Sequence, residues 1–244
     1  EITTRLVGSE MCIRDSVDLV PQAFTLDDNY NQSLAQLGFV VVNFAYRGSG
    51  PWRGRDFHTF GYGNLRDYAL ADDMAAIRQI AARYPCADIE RVGIYGHSGG
   101  GFMTVAAMLN HPEFYKVGVA ASGNHDNNIY SQWWGETFHG VRQTAGKDGK
   151  PLFECRIPTN IELAGRLAGR LLLITGDMDN NVHPASTFRL ADALIRARKR
   201  FDMMVIPGAD HGLGNAYYVN LIRYYFTEHL LGLPRREVDI VKHN

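Results

Sequence analysis

The chain has 244 residues, of which 45% are hydrophobic and 21% charged, and its formal net charge is -1 at pH 7. This composition is typical of one globular domain, and the balanced charge argues against nucleic acid or an anionic membrane as a partner. No apolar stretch reaches the ~18 residues that a spanning helix needs. We therefore expect a soluble protein without a membrane span, in the cytoplasm or the periplasm, and leave its compartment and oligomeric state open.

The first twenty residues are atypical. Glu1 is not preceded by an initiator Met, and the run from Arg5 to Ser16 shows no signal-peptide core and no clear strand or helix period. The run also resembles translated sequencing-adapter read-through at the ends of fragmentary gene models. The sequence thus predicts a truncated or artefactual segment over 1–20 and one α/β domain over 21–244.

The remaining chain alternates between predicted strands and helices. Strands are predicted over Phe39 to Ala45, Val92 to Tyr95, Val117 to Ala121, Leu171 to Ile174 and Met203 to Ile206. Helices are predicted over Gln32 to Leu37, Asn64 to Tyr84 with Asp72 and Asp73 toward water, Gly100 to Leu109, Pro184 to Arg200 and Ala216 to Leu231. The segment from Gly123 to Arg156 lacks a period and is predicted as a loop. Such alternation indicates an α/β fold with a mostly parallel central sheet flanked by helices on both faces.

A glycine-rich run follows the strand that ends near Tyr95. Gly96, Ser98 and Gly100 form the pattern G-x-S-x-G between a strand and a helix, which is typical of a nucleophile elbow. The backbone N–H of Gly99, just after the serine, would then donate a hydrogen bond to an oxyanion. A glycine-rich turn with an incidental serine explains the five residues equally well, so the pattern alone leaves both interpretations open.

Carboxylates and a histidine follow two later strands. Asp177 and Asp179 come just after the strand at Leu171 to Ile174, and His211 follows the strand at Met203 to Ile206. The order Ser, Asp, His is that of α/β-hydrolases, in which functional groups gather at the carboxyl ends of the strands. Local spacing does not decide between the two carboxylates. His97 and His183 lie near the same loops and are more typical of positioning roles.

Several motifs together resemble the catalytic domain of the prolyl oligopeptidase family of serine peptidases, in its dipeptidyl-peptidase-IV-like branch, from about Pro21 to Pro234. Besides the elbow, they are Leu37 to Val42, Tyr46 to Gly50, Gly54 to His58, Gly123 to Asp126, Gly176 to Pro184 and Gly208 to Gly212. The resemblance implies an α/β-hydrolase catalytic domain with Ser98 as nucleophile, Asp179 as acid and His211 as base. It also implies a substrate pocket, whose residues would be Tyr130, Trp134, Asn181 and Val182. Trp134 could equally belong to a packed aromatic pair.

The sequence departs from this family in two ways. Family members carry a β-propeller before the hydrolase domain, and this sequence contains none. Their second oxyanion donor is a tyrosine hydroxyl, and Asp18 occupies its place if Pro21 ends the corresponding segment. A carboxylate there would repel an oxyanion.

The sequence as a whole favours a serine-type peptidase that cleaves peptide bonds through an acyl-enzyme, as a dipeptidyl peptidase or oligopeptidase catalytic domain without its propeller. The alternatives are a stand-alone carboxylesterase or other acyl hydrolase, and an inactive fragment. The expected partner is a peptide or a small acyl substrate. No cofactor and no metal are expected, because the chain has no H-E-x-x-H or phosphate-loop motif, and Cys12, Cys86 and Cys155 are too widely spaced for a thiolate site.

Overall fold

The computed structural model describes residues 4–11, 30–50, 53–214 and 216–238. The strands in these ranges are β1 (Thr4–Met11), β2 (Phe39–Val42), β3 (Ala87–His97), β4 (Tyr115–Ala121), β5 (Arg142–Ala145), β6 (Pro151–Glu154), β7 (Arg170–Gly176) and β8 (Asp202–Ile206). The helices are α1 (Tyr30–Gln36), α2 (Arg55–His58), α3 (Leu70–Arg83), α4 (Gly99–Asn110), α5 (Gln132–Phe138), α6 (Ala185–Arg196) and α7 (Ala216–His229). Among them, none has both the length and the apolar composition required to cross a bilayer.

Six strands form one sheet in the order β2-β1-β3-β4-β7-β8. Every neighbouring pair in it is parallel, so all six carboxyl ends lie at one edge. The strand order reverses between β1 and β3: β2 lies beside β1 toward one edge of the sheet, and β4, β7 and β8 follow β3 toward the other edge. Functional groups of open α/β sheets gather outside the carboxyl ends at such a switch point, and β3 leads into the Ser98 turn there.

Side chains of the central strands alternate between two apolar layers. Ile94, Leu171 and Leu173 face one cluster, which also contains Phe102 of α4 and Leu190 of α6. The cluster on the opposite face contains Tyr95 of β3 and Leu172 of β7. It also contains Leu34 of α1 and Ile222 and Phe226 of α7. Strands buried on both faces are expected for a parallel sheet covered by helices. The predicted layering of helices on both faces is therefore confirmed.

Two parts of the secondary-structure prediction were wrong. The run from Arg5 to Ser16 was not expected to contain a strand, yet β1 pairs with β2 on one edge and with β3 on the other. Ladder hydrogen bonds from two neighbours outweigh a weak local pattern. The predicted loop over Gly123 to Arg156 contains α5 and an antiparallel hairpin of β5 and β6, because those elements are too short to show a period.

Helix α3 also begins later than predicted. Turn hydrogen bonds from Asp67 and Tyr68 to the Asn64 carbonyl occupy the first part of the predicted range, and α3 starts at Leu70. Asp73 was expected to face water but is 2% exposed. The buried residues of α3 are Leu70, Asp73, Met74 and Ile77, whose spacing places Asp73 on the inner face of the helix.

Gly101, in the first turn of α4, packs directly on the end of β4. A Cβ there would lie 2.6 Å from the Ala121 carbonyl oxygen and 3.2 Å from the Gly123 Cα. We expect Gly101→Ala to lower the free energy of unfolding by about 1–3 kcal/mol, as overpacking does, in a urea titration. Gly165→Ala is the matched control, because a Cβ at Gly165 has no neighbour within 4 Å. Equal stability of the two variants would contradict this close packing.

Candidate active site

Ser98 lies at the turn between β3 and α4 in a backbone conformation that residues other than glycine rarely adopt. Its φ is 58° and its ψ is -123°, and its N–H donates to the Ala121 carbonyl oxygen at 2.8 Å. The Phe102 N–H donates to the Ser98 carbonyl oxygen at 3.1 Å, which begins the helix. Non-glycine residues in strained regions cluster at functional sites. The turn therefore has the geometry predicted for a nucleophile elbow.

Three side chains from separate strand ends form one hydrogen-bonded chain. Ser98 Oγ lies 2.9 Å from His211 Nε2, and His211 Nδ1 lies 2.8 Å from Asp179 Oδ2. The Asp179 side chain is fully buried, whereas that of His211 is 20% exposed. Because a carboxylate only accepts hydrogen bonds, Nδ1 of His211 carries the proton and Nε2 is free to accept the Ser98 hydroxyl proton. This geometry allows the imidazole to accept a proton from the Ser98 hydroxyl.

Asp177 and Asp179, between which the sequence spacing did not decide the acid, have different contacts. Asp179 Oδ1 accepts the N–H groups of Asn181 and Val182 at 3.0 and 2.9 Å, which orients its other oxygen toward His211. Asp177 is exposed, and its Oδ1 accepts the Gly208 N–H at 2.6 Å. Asp179 alone of the two contacts the histidine. Asp177 joins the loop after β7 to the loop that carries His211.

The N-terminus of α4 follows Ser98 directly. Gly99 is the first residue of the helix and is buried. N–H groups in a first helical turn have no intrahelical acceptor and carry the positive end of the helix dipole. The Gly99 N–H can therefore stabilise negative charge that develops next to Ser98 Oγ. Asp18, the residue expected in place of a second donor, lies outside the described residues, as does Cys12.

Among the four residues predicted to bind substrate, Tyr130 contacts both Asn181 and Trp134. The Tyr130 hydroxyl donates to Asn181 Oδ1 at 2.8 Å, and the Tyr130 ring packs edge-on against Trp134 with centroids 5.6 Å apart. Trp134 is 6% exposed and Val182 is 3% exposed. Trp134 also packs on Phe138 and belongs to the larger apolar core. Asn181 is thus exposed and Tyr130 half-buried, whereas Trp134 and Val182 are buried.

His125, in the segment after β4, is a buried polar residue outside the hydrogen-bonded chain of Ser98. Its Nδ1 lies 3.2 Å from Asn160 Nδ2, which donates, so the ring proton is on Nε2. Among the described residues, Nε2 has no hydrogen-bond partner. Burial lowers the pKa of His125 to about 3, which keeps the imidazole neutral in the folded protein.

A neutral buried histidine makes folding dependent on pH. The unfolded chain takes up a proton at His125 below about pH 6.5 and the folded chain does not until about pH 3, so stability falls as pH is lowered through this window, by up to about 1.4 kcal/mol per pH unit. We expect His125→Asn to reduce this slope, because an asparagine oxygen can replace Nδ1 as acceptor and does not titrate. Urea titrations between pH 7 and 4 measure it. Parallel stability curves for the two proteins would refute this role of His125.

A polar cavity of about 490 Å³ lies beside the Tyr130 segment. Its charged residues are already paired: Asp126 with Arg189 at 3.0 Å, and Arg156 with Glu162 at 3.8 Å. Ser98, Asp179 and His211 do not line it. Within the described ranges, no group of His, Cys, Asp and Glu side chains is arranged to hold a metal ion.

The chain is similar to several known proteins. A family model described as the prolyl oligopeptidase family matches residues 25–233. Human dipeptidyl peptidase 8 is 29% identical over 198 residues, which make up 79% of this chain and 22% of that protein. The motif resemblance found in the sequence is therefore confirmed.

Solved structures of dipeptidyl peptidases have a similar fold. A protein from Bacteroides ovatus, described as a dipeptidyl aminopeptidase IV, gives a TM-score of 0.74 at 27% identity and covers 93% of this chain and 31% of that one. Dipeptidyl peptidase 4 of Porphyromonas gingivalis gives 0.69 at 26% identity, over 86% of this chain and 28% of that one. These similarities confirm the predicted α/β-hydrolase fold. The chain spans less than a third of the length of each of these relatives.

Proposed function

Because the chain belongs to the prolyl oligopeptidase family of serine peptidases, we propose that it hydrolyses peptide bonds through an acyl-enzyme on Ser98. The observation that carries the proposal is the unbroken hydrogen-bonded chain from Ser98 Oγ through His211 to Asp179. A nucleophile, a base that contacts it and a third group that orients the base are the minimum for acyl transfer by a serine.

In the proposed first half-reaction, Ser98 Oγ attacks the substrate carbonyl carbon while His211 Nε2 takes the hydroxyl proton. The tetrahedral intermediate collapses when the peptide C–N bond breaks, and His211 returns the proton to the departing amine. In the second half-reaction, water attacks the ester carbonyl while His211 takes its proton. The acyl C–Oγ bond then breaks, the carboxylic acid leaves, and His211 returns the proton to Ser98 Oγ. Asp179 holds the Nδ1–H tautomer throughout and stabilises the imidazolium.

Negative charge on the carbonyl oxygen is stabilised in this proposal by the N-terminus of α4. Gly99 is the first residue of α4, so its backbone N–H has no intrahelical acceptor. One oxyanion donor of this kind contributes on the order of 3 kcal/mol to the transition state.

Substrate is proposed to bind against the surface formed by Tyr130 and Asn181, with Val182 and Trp134 beneath it. Since Asn181 Oδ1 already accepts from the Tyr130 hydroxyl, the Nδ2 amide is left to donate to a substrate carbonyl. The relatives named dipeptidyl peptidase and dipeptidyl aminopeptidase suggest a specific reaction, the release of a dipeptide from the amino end of a peptide. We extend that reaction to this chain as part of the proposal.

Tyr130→Phe tests this surface. The substitution removes the hydroxyl that fixes Asn181 and retains the ring that packs on Trp134. We expect KM for a peptide substrate to rise several-fold with a smaller change in kcat, because uniform binding is lost and the reacting groups are untouched. Steady-state kinetics measure both constants. A variant with unchanged KM would show that substrate does not use this surface.

A substrate panel tests the reaction itself. Xaa-Pro and Xaa-Ala anilides report on amide cleavage, and p-nitrophenyl acyl esters report on the alternative of a carboxylesterase, because the same three residues can cleave both bonds. The proposal predicts turnover of the dipeptidyl anilides by the wild-type chain and none above background by Ser98→Ala. Turnover of esters with no detectable cleavage of any anilide would instead support the esterase.

A further inference from the structure

His97, the residue just before Ser98, contacts the backbone of His211. Its Nε2 lies 2.5 Å from the His211 carbonyl oxygen, and the two imidazole rings lie 4.7 Å apart, tilted by 54°. The two histidines are 114 residues apart in the chain, so this contact joins the nucleophile turn to the loop that carries the base.

The chemistry of the two atoms determines the protonation of His97. A carbonyl oxygen can only accept a hydrogen bond, so His97 Nε2 must carry a proton and donate it. Burial lowers the pKa of His97, and the hydrogen bond to the His211 carbonyl and the nearby Asp179 carboxylate act in the opposite direction. The lowered pKa favours the neutral ring at pH 7, with its proton on Nε2. A neutral ring does not oppose the positive charge that His211 acquires when it accepts the Ser98 proton.

A second side chain contacts the same carbonyl oxygen. Ser122, at the end of β4, has a φ of 47°, and its Oγ lies 3.3 Å from the His211 carbonyl oxygen. Its N–H donates to the Ile174 carbonyl oxygen at 2.8 Å, which ties this position to β7 as well. The main chain of His211 is thus bound by residues from the carboxyl ends of two central strands.

These contacts matter because the His211 loop has little regular structure of its own. The loop lies between β8 and α7, and Gly208 and Leu213 in it both have positive φ. Asp179 holds the Nδ1 side of the imidazole ring. This hydrogen bond alone does not determine the distance from Nε2 to Ser98 Oγ. The hydrogen bonds to the His211 carbonyl oxygen fix the position of the His211 main chain. The position of the main chain in turn determines the distance between Nε2 and Ser98 Oγ.

We infer that His97 is a positioning residue that fixes the His211 main chain, and with it the catalytic geometry, through a hydrogen bond from Nε2. This inference rests on the proposed function of Ser98 and His211. A misplacement of a catalytic group by about 1 Å can lower the rate by about a hundredfold. The hydrogen bond therefore acts on kcat and leaves substrate binding unchanged.

The test compares His97→Phe with His97→Gln in the full chain. Phenylalanine retains the ring and loses the donor, whereas glutamine places an amide N–H close to the position of Nε2 and cannot become charged. We expect His97→Phe to lower kcat for a dipeptidyl anilide about 10- to 100-fold with KM within about twofold, and His97→Gln to recover most of the loss. Thermal unfolding curves check that both variants fold.

Two kinetic outcomes would overturn the inference. If His97→Phe has the kcat of the wild type, the hydrogen bond has no catalytic role. If His97→Gln is as slow as His97→Phe, the ring itself matters and the donor does not.

A spectroscopic measurement separates failure of this inference from failure of the proposed function. In ¹⁵N-histidine NMR spectra at pH 7, we expect neutral His97 with the proton on Nε2, assigned by the signals that vanish in His97→Gln. We also expect the His211 signals to shift in His97→Phe and to return toward the wild type in His97→Gln. Two results would overturn the inference: a neutral His97 ring with its proton on Nδ1, or His211 chemical shifts that are unchanged in both variants. Both results can be obtained even if the wild type cleaves no substrate.

Discussion

Ser98→Ala is expected to lower kcat/KM for a dipeptidyl anilide by on the order of 10⁶-fold, because the nucleophile and the acyl-enzyme route are both lost. The fold should be retained, since alanine removes only a hydroxyl whose assigned contact is His211 Nε2 at 2.9 Å. The measurement is the initial rate of anilide release under conditions in which wild-type turnover is linear in enzyme concentration.

Ser33→Ala is the matched control for this loss. Ser33 lies on α1, and its hydroxyl contacts Arg223 of α7, so its removal should leave kcat/KM within about threefold. Thermal unfolding of both variants checks folding. If Ser98→Ala kept a substantial part of the wild-type rate, some other residue would be the nucleophile.

Asp179→Asn is expected to lower kcat by about 10⁴-fold. An asparagine can present an amide N–H to His211 Nδ1, which favours the tautomer with the proton on Nε2 and leaves no base toward Ser98. The side chain has similar volume and can still accept the Asn181 and Val182 N–H groups through its oxygen. Loss of activity with an unchanged unfolding transition would therefore report on the tautomer of His211.

Asp177→Asn is the control, because Asp177 is the other carboxylate of the same loop. Its contact is the Gly208 N–H at 2.6 Å, and an asparagine oxygen can accept that hydrogen bond. We expect kcat within about threefold of the wild type, the range for an exposed substitution that preserves its contacts. If the two variants lost activity equally, or Asp177→Asn lost more, the assignment of Asp179 as the acid would be wrong.

The sequence predicts the strands of the main sheet from β2 onward and the longer helices. Each of these elements has its own apolar run or helical spacing of apolar residues. Apolar runs such as Leu171 to Ile174 are strands buried on both faces, and the glycines around Ser98 mark a strand-to-helix turn. Parallel strands place their carboxyl ends at one edge, so the positions of Ser98, Asp179 and His211 along the sequence already implied that they lie near one another.

Contacts that depend on register or on backbone pairing could not be predicted in this way. The difference between Asp177 and Asp179 depends on which side chain turns inward within one short loop. The contact from His97 to the His211 carbonyl joins residues of β3 and of the loop after β8, and no local pattern encodes it. The pairing of β1 on both of its edges is likewise a property of the sheet and not of its own sequence.

The most direct test of the central claim is the site at which a fluorophosphonate probe labels the folded wild-type chain, located by peptide mass spectrometry. Such probes phosphonylate a serine hydroxyl that an adjacent base activates. We predict one adduct, on the peptide that contains Ser98, and its absence from Ser98→Ala. A folded wild-type chain that carries no adduct at Ser98 after prolonged exposure would contradict the assignment of Ser98 as an activated nucleophile.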